Sequence, residues 1–453
     1  MYRETKQGPR CRICTGCGLC PGVVRESAAG NHPKAVRESA VSGNPDGMWE
    51  SAAGDYPKAV RESVVSDSPS GIRRSLHVLT EDTLGGSHIP LSCSGKRLAV
   101  ADIGTTTIAM LLYHPDGTVA DRFAEVNPQT VYGADVLSRI KASQEPSAAA
   151  GMRDSVRKTL IKGLKRFRKQ LPAGETLYLV AAANTTMTYL LMGWDTAELG
   201  RAPFRASWLS GGELELEGVP CFVLPGFSAF VGGDILAGGC ACGIFHREEI
   251  TLLVDLGTNG ELLLGNCRRR IACATAAGPA FEGGVNRGIW GADMVRFLAA
   301  LRKEGILDET GLLAEPYFEK GVRIGNVCVT KEAVRSIQLA KAAVAAGIEI
   351  LLDKYGISCD AVDRVVLAGG FGYYLNPEDS AEIGLLPRAL ADKAVSGGNT
   401  ALSGALYSGR ELLLSDWGSV KEKLEKYRCG TEVVNLAGES KFNELYIQRM
   451  ELK

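Results

Sequence analysis

Residues Leu98 to Leu112 read LAVADIGTTTIAMLL. Apolar runs of strand length flank a Gly/Thr step, so the stretch predicts a buried strand, a tight turn and a second strand. Asp102 ends the first strand, and Gly104, Thr105, Thr106 and Thr107 make the turn. A carboxylate beside a small turn with three hydroxyls and backbone N–H groups is suited to a phosphate chain and its Mg2+. Taken alone, DxGTT reads equally well as an ordinary hairpin turn.

A second copy changes that balance. Thr251 to Leu264 reads TLLVDLGTNGELLL, in which Asp255, Gly257 and Thr258 repeat Asp102, Gly104 and Thr105; Asn259 and Gly260 complete the turn. A strand–DxGT–strand unit occurring twice at domain-sized spacing implies a duplicated fold with a cleft between its halves. Two carboxylates then face one ligand from opposite sides. A third stretch, VVLAGGFGY from Val365 to Tyr373, runs an apolar strand into Gly369, Gly370 and Gly372. Glycines there let a flat ring and its ribose approach the backbone.

With these three pieces in order, the chain resembles the ASKHA superfamily of acetate and sugar kinases, heat-shock ATPases and actin. DIGTTT is similar to its first phosphate motif, DLGTNGE to its second and LAGGFG to its adenosine motif. The implied fold is α/β, with duplicated RNase H-like subdomains around a nucleotide cleft. The wording narrows the resemblance further. NPQ…GADVLSRI, AANTTM, PGFSAFVGGDILAG, ATAAGPAFEGG, QLAKAAVAAGIEILL and IGLLP are similar to the ASKHA core of the reductive activators of corrinoid proteins, over about Leu98 to Leu414. That resemblance implies binding of ATP and Mg2+. It also implies an ATP-driven electron transfer that returns the cobalt of a corrinoid protein or corrinoid methyltransferase from Co(II) to Co(I).

Carried onto this sequence, the resemblance makes Asp102 and Asp255 the catalytic pair, holding hydrated Mg2+ while one positions the attacking water. Gly104, Thr105, Thr106, Thr107, Gly257, Thr258, Asn259 and Gly260 would surround the phosphates. Asn184 would orient a phosphate or water, and Gly369 and Gly370 would line the adenine side. Phosphoryl transfer needs positioning and charge neutralisation more than covalent chemistry, so these residue types suffice.

The N-terminal part departs from that family's usual pattern, a plant-type [2Fe–2S] ferredoxin domain. Residues 11 to 21 are CRICTGCGLCP, placing Cys11, Cys14, Cys17 and Cys20 at C-x2-C-x2-C-x2-C-P. Four thiolates so close together point to a metal or iron–sulfur site, read here as one [4Fe–4S] cluster carrying the electron. Three ligands with a free fourth cysteine, a zinc knuckle and a vestigial remnant are the alternatives. Residues 24 to 75 then repeat every 12 positions: VRES at Val24, Val36 and Val60, MWES at Met48, IRRS at Ile72, with Pro33, Pro45, Pro57 and Pro69 in step. The period is too short for a helical solenoid, and Ser, Ala, Gly and spaced Pro read as a flexible linker. The expected organisation is a Cys-rich segment over 1–23, a linker over 24–95, subdomain I over 96–247 and subdomain II with a C-terminal helix over 248–453.

Composition sets the outer limits. At 453 residues, 45% hydrophobic and 23% charged, the chain has room for two or three domains. A net charge of −1 gives no nucleic-acid surface, and no apolar run approaches the roughly 18 residues of a membrane span. Thirteen cysteines, an odd number scattered through apolar segments, argue against a disulfide framework and for a reducing, cytoplasmic setting. Helix 151–170 is basic and reads as a solvated face, or else as a docking surface for an acidic partner. Cys240 and Cys242 read as small-residue helix packing before metal ligands, and Glu282 is placed within reach of a ribose hydroxyl. Two other readings stay open: a small-molecule kinase of the same superfamily, and a non-redox ATP-switched binding module. The electron donor has no signature, and a homodimer is neither indicated nor excluded by any motif.

Overall fold

The chain crosses two six-stranded sheets in succession. The computed structural model describes residues 95–453 apart from 258, 282–290 and 325–326. The four-cysteine run, the 12-residue repeats, Thr258 and Glu282 lie outside the described residues.

The first sheet opens with β1 (Lys96–Ile103), β2 (Thr107–Tyr113) and β3 (Val119–Val126), an antiparallel meander. Helices α1 (Val136–Ala142) and α2 (Pro146–Arg168) then return the chain to β4 (Thr176–Ala183), parallel to β1. Helix α3 (Thr185–Met192) leads to the hairpin β5 (Gly212–Leu216) and β6 (Val219–Val223), and α4 (Gly233–Cys242) ends this half. The strand order is β3-β2-β1-β4-β6-β5.

The second half repeats the plan with β7 (Thr251–Leu256), β8 (Gly260–Gly265) and β9 (Arg270–Thr275). After α5 (Gly291–Lys303), the small hairpin β10 (Val322–Ile324) and β11 (Val327–Val329), and α6 (Lys331–Tyr355), β12 (Arg364–Ala368) pairs parallel with β7. There follow β13 (Ala394–Gly398), α7 (Thr400–Leu414), α8 (Trp417–Cys429), β14 (Thr431–Val434) and α9 (Phe442–Gln448). The order β13-β12-β7-β8-β9-β14 matches the first sheet from β6 to β3, with β14 added at the edge. The duplication read from the two DxGT stretches is thus a duplication of topology.

Strand alternation sorts the cores. Ala99, Ala101 and Ile103 of β1 face α2, packing with Met152, Val156, Leu160 and Phe167. Leu98 and Val100 face the other way, toward α4 and α7. Leu253 of β7 and Leu263 of β8 reach the same middle layer from the second sheet, whereas Leu252, Val254 and Leu256 pack outward against α5 and α6. The layers run α2, sheet, α4 with α7, sheet, α5 with α6. Small residues let the two middle helices touch: a Cβ on Gly404 would lie 1.8 Å from Ala237 O.

The basic helix α2 is solvated along its charged face, and several of its cations pair within the chain. On α2, Arg166 pairs with Asp121 at 2.6 Å, Lys165 with Glu217 at 2.9 Å, and Lys162 with Glu125. Helix α6 is buried nearly all round along its second half, because it lies between the sheet and flanking helices; Leu339, in its first half, is exposed. Among the described residues, no helix is long and apolar enough to cross a membrane.

Candidate nucleotide cleft

The same alternation that sorts the cores delivers the acidic side chains. Asp102 follows Leu98 and Val100 onto the middle-layer face of β1, and Asp255 follows Leu253 onto that face of β7. Glu261 precedes Leu263 by two residues on β8 and stands directly opposite Asp255 in the antiparallel register. Asp234 lies in the first turn of α4. Four carboxyls therefore point into the layer where the two halves meet. Asn399 caps α7, its Oδ1 accepting from Leu402 N at 2.9 Å, and its Nδ2 donates to Asp102 Oδ2 at 2.8 Å. Thr400 Oγ1 lies 3.5 Å from Asp255 Oδ2.

Burial next to like charge holds protons on these acids. Burial raises Asp102 to about 6, opposed by the Asn399 amide. Asp234 reaches about 7, from burial and then the charge of Asp102. Asp255 also reaches about 7, from burial and then Asp234 and Asp102, with Thr400 opposing. Burial, followed by Asp234 and Asp255, pushes Glu261 well above the ordinary carboxyl range. Among the described residues, no three acidic, His or Cys side chains come together as a group that could hold a metal ion. One or two carboxylates completed by water and phosphate oxygens is the usual manner of Mg2+, not of a metal held wholly by protein.

The first turn is tighter than the sequence alone conveys. Gly104 N donates to Thr107 O at 2.9 Å, so that amide closes the hairpin and does not face a ligand. The second turn does the same, Gly257 N donating to Asn259 O at 3.0 Å. Thr105 is buried and Thr106 exposed; Thr107 begins β2. Asn184 caps α3, as its place after a strand predicts, with Oδ1 accepting from Met187 N at 2.9 Å. Its Nδ2 donates to Thr105 Oγ1 at 3.1 Å, joining AANTTM to DIGTTT. Gly260 packs under Thr275, whose hydroxyl donates to Gly260 O at 3.0 Å.

Gly369 begins a single helical turn, Gly369–Gly372, directly after β12. Its φ is +84°, and a Cβ there would lie 2.5 Å from Leu256 O and 2.6 Å from Asp255 Oδ1. The glycine is therefore required twice, for its backbone and for its closeness to the acid. Gly370 is exposed. Phe371 stacks on Phe281 of the GPAF turn at 4.3 Å, fixing two loops of the second half to each other. Of the expected residues, the structure thus joins Asn184 to Thr105 and sets Gly369 beside Asp255, whose carboxyl feels the charge of Asp102.

Sequence reading passed over Asp234, Glu261, Asn399 and Thr400 as site residues. Asp234 and Glu261 stood inside quoted motifs, and strand parity from Leu263 was the signal for Glu261. Asn399 carries no local signal of a site: in the structure it is the cap of α7. Cys240 and Cys242 are buried in α4, where burial pushes the Cys242 thiol up to about 12, and they act as packing groups.

Comparison with known proteins gives this cleft a lineage. Residues 98–247 match the family region described as the RACo middle region, and residues 249–287 and 285–453 match the C-terminal domain of RACo, the ASKHA domain. The chain belongs to the RACo-type ASKHA family. The corrinoid activation enzyme RamQ of Eubacterium limosum is 29% identical over 76% of this chain and 68% of its own. The [Co(II) methylated amine-specific corrinoid protein] reductase of Methanosarcina barkeri is 23% identical over 73% of this chain and 70% of its own. Among solved structures, a reductive activator for corrinoid, iron–sulfur protein superposes with a TM-score of 0.68 at 28% identity, covering 80% of this chain and 67% of its own.

Proposed function

We propose that the protein is an ATP-dependent reductive activator that returns a corrinoid protein from Co(II) to Co(I). The observation that carries this reading is the convergence of Asp102 and Asp255, from equivalent strands of duplicated halves, in a chain whose relatives are named for corrinoid activation. ATP lies in the cleft, with its adenine toward Gly369 and Gly370 and its phosphates toward Gly104–Thr107 and Gly257–Gly260. Asp102 and Asp255 hold the hydrated Mg2+, which supplies charge neutralisation at the phosphates. Asn184 orients a phosphate oxygen or the attacking water. Asp234, on the helix between the halves, takes the proton that water loses as the γ-phosphate leaves to give ADP and phosphate.

Binding and hydrolysis move one half against the other, because the ligand touches both. One electron is added to Co(II) to give Co(I). The step is uphill for ordinary donors, so the closed form must favour the reducible cobalt state by contacts the open form lacks. Cys11, Cys14, Cys17 and Cys20 are the ligands assigned to a [4Fe–4S] cluster, which when bound supplies one-electron transfer. A cytoplasmic setting belongs to the same reading, supported by the scattered cysteines, eight of them free among the described residues.

The test is anaerobic. The full chain is mixed with a Co(II) corrinoid protein and a reductant, and the cobalt absorption is followed with and without MgATP. Reduction that requires ATP and is lost in Asp255→Asn supports the activator. ATP consumption that instead rises with a small alcohol or sugar, without cobalt reduction, overturns it in favour of a kinase.

A further inference from the structure

The NPQ…GADVLSRI stretch takes no part in the reading above, yet three of its polar residues are fully buried. Asn127, Gln129 and Arg139 are each 0% exposed. Asn127 grips the first turn at two points: its backbone N–H donates to Thr106 O at 2.8 Å and its Nδ2 to Gly104 O at 2.8 Å. The same Nδ2 lies 3.5 Å from Met187 Sδ. Met187 N donates to Asn184 Oδ1 at 2.9 Å, and Asn184 Nδ2 donates to Thr105 Oγ1 at 3.1 Å. The contacts close into a ring: Gly104, Asn127, Met187, Asn184, Thr105. Behind the ring, Arg139 donates from Nη1 to Gln129 Oε1 at 3.4 Å and to Met187 Sδ at 3.4 Å, and from Nε to Gly133 O at 2.9 Å. On its far side the ring meets α4: a Cβ on Gly232 would lie 2.4 Å from Asn184 Cα, two residues before Asp234.

We infer that Asn127 is a positioning residue that fixes the Gly104–Thr107 turn to the N-terminus of α3, so that Thr105 and Asn184 meet the ATP phosphates as one rigid unit. The inference rests on the ATP reading of the cleft. The Asn127 amide is suited to the task because one NH2 group reaches the Gly104 carbonyl and the Met187 sulfur while its Oδ1 caps the following turn through Gln129 N at 3.0 Å. Asp at this position keeps the shape and the acceptor but turns the donor edge into a second acceptor. Arg139 supports the ring from behind through Met187 and Gln129 and touches no ligand.

The test is calorimetric titration of the full chain with MgATP and, separately, with adenosine, for the native protein and Asn127→Asp. Adenosine lacks phosphates, so it reports the second-half loop alone. Loss of a hydrogen bond that orders a charged-ligand site is expected to weaken MgATP about tenfold, with adenosine affinity unchanged. If Asn127→Asp does not fold, Asn127→Ser is read in its place, since serine preserves the capping oxygen and removes the donor. MgATP affinity within twofold of native, or an equal loss for adenosine and ATP, overturns the positioning role. Failure of the native chain to bind MgATP would instead defeat the ATP reading on which the inference stands.

Discussion

Asn399 Nδ2 donates to Asp102 Oδ2 at 2.8 Å across 297 positions of the chain. This bond joins the first half's carboxylate to α7, the helix that follows β13 of the second half, making Asp102 answerable to both halves. It also opposes the rise that burial imposes on Asp102. Asn399→Ser preserves the helix cap, since serine caps as well as asparagine, but is too short to reach the carboxylate. The folded pKa of Asp102 then climbs further. The acid limb of the kcat/KM profile for ATP hydrolysis should move up by about 0.5–1 pH unit, with little change in Tm. An unmoved limb would show that Asp102 does not set it.

The carboxyls of the middle layer give the metal-free protein a distinctive pH dependence. Asp102, Asp234 and Asp255 are raised above the usual value of 3.8, to about 6, 7 and 7. Between those limits the folded state binds more protons than the unfolded state, so stability is full below about pH 4 and falls as pH rises through 6 to 7. A divalent cation prefers the ionised acids and reverses the trend. Chelator-treated protein should therefore lose Tm between pH 5 and 7.5, and added Mg2+ should restore it progressively better over the same interval. Equal Mg2+ stabilisation at pH 5.5 and 7.5 would contradict the assignment.

How much of this was legible in the sequence follows the physics of each signal. Strands β1, β2, β7, β8 and β12 were readable because apolar periodicity is local. The DxGT turns announced themselves by being repeated. Asn399 was not readable as a site residue, since its partner lies in the other half and nothing near it in the sequence differs from an ordinary cap. The hairpin β5–β6 and edge strand β14 were missed because short, partly exposed strands carry little pattern. The turn amides were misjudged: Gly104 and Gly257 spend their N–H groups inside their own hairpins.

Gly369→Ala tests the adenosine side. The new methyl would sit against Leu256 O and Asp255 Oδ1 at a φ of +84°. Backbone strain of this kind costs about 1–2 kcal/mol, and the clash falls on the acid assigned to Mg2+. The variant should stay folded with a Tm a few degrees lower and lose nucleotide affinity by at least about tenfold, as read by calorimetry. Gly356→Ala, at a φ of +79° with nothing within 4 Å of a Cβ, is the control: it carries the backbone strain without the clash on Asp255 and should bind nucleotide nearly as well as native.

A second titration is built into the chain end. Lys341 is fully buried and donates to Glu451 O, while Gln338 Nε2 donates to Met450 O at 3.0 Å and Leu452 is buried beside them. Burial lowers Lys341 from 10.5 to about 7, with Arg449 adding to the effect. From pH 7 to 10.5 the unfolded chain holds a proton that the folded chain does not. This group therefore adds stability as pH rises, by at most about 1.4 kcal/mol per unit. Denaturation curves at pH 7.5 and 9.5 should show that rise, and Lys341→Met should flatten it while leaving ATP affinity intact. A rise that persists in the variant would assign it to another group.

The cysteine run separates ATP chemistry from electron transfer. Cys11, Cys14, Cys17 and Cys20 precede the ATPase halves by a long repeat segment, so their loss should leave the cleft untouched. Protein purified without oxygen should contain about four iron per chain if four thiolates hold one [4Fe–4S] cluster. Its broad visible absorption should bleach with dithionite. Cys17→Ser should then abolish both the iron and ATP-dependent Co(II) reduction, while MgATP binding by calorimetry stays within twofold. One zinc per chain, or no metal at all, would move the electron carrier to a separate protein. The cleft of Asp102 and Asp255 would then be a nucleotide-driven clamp that another protein supplies with electrons.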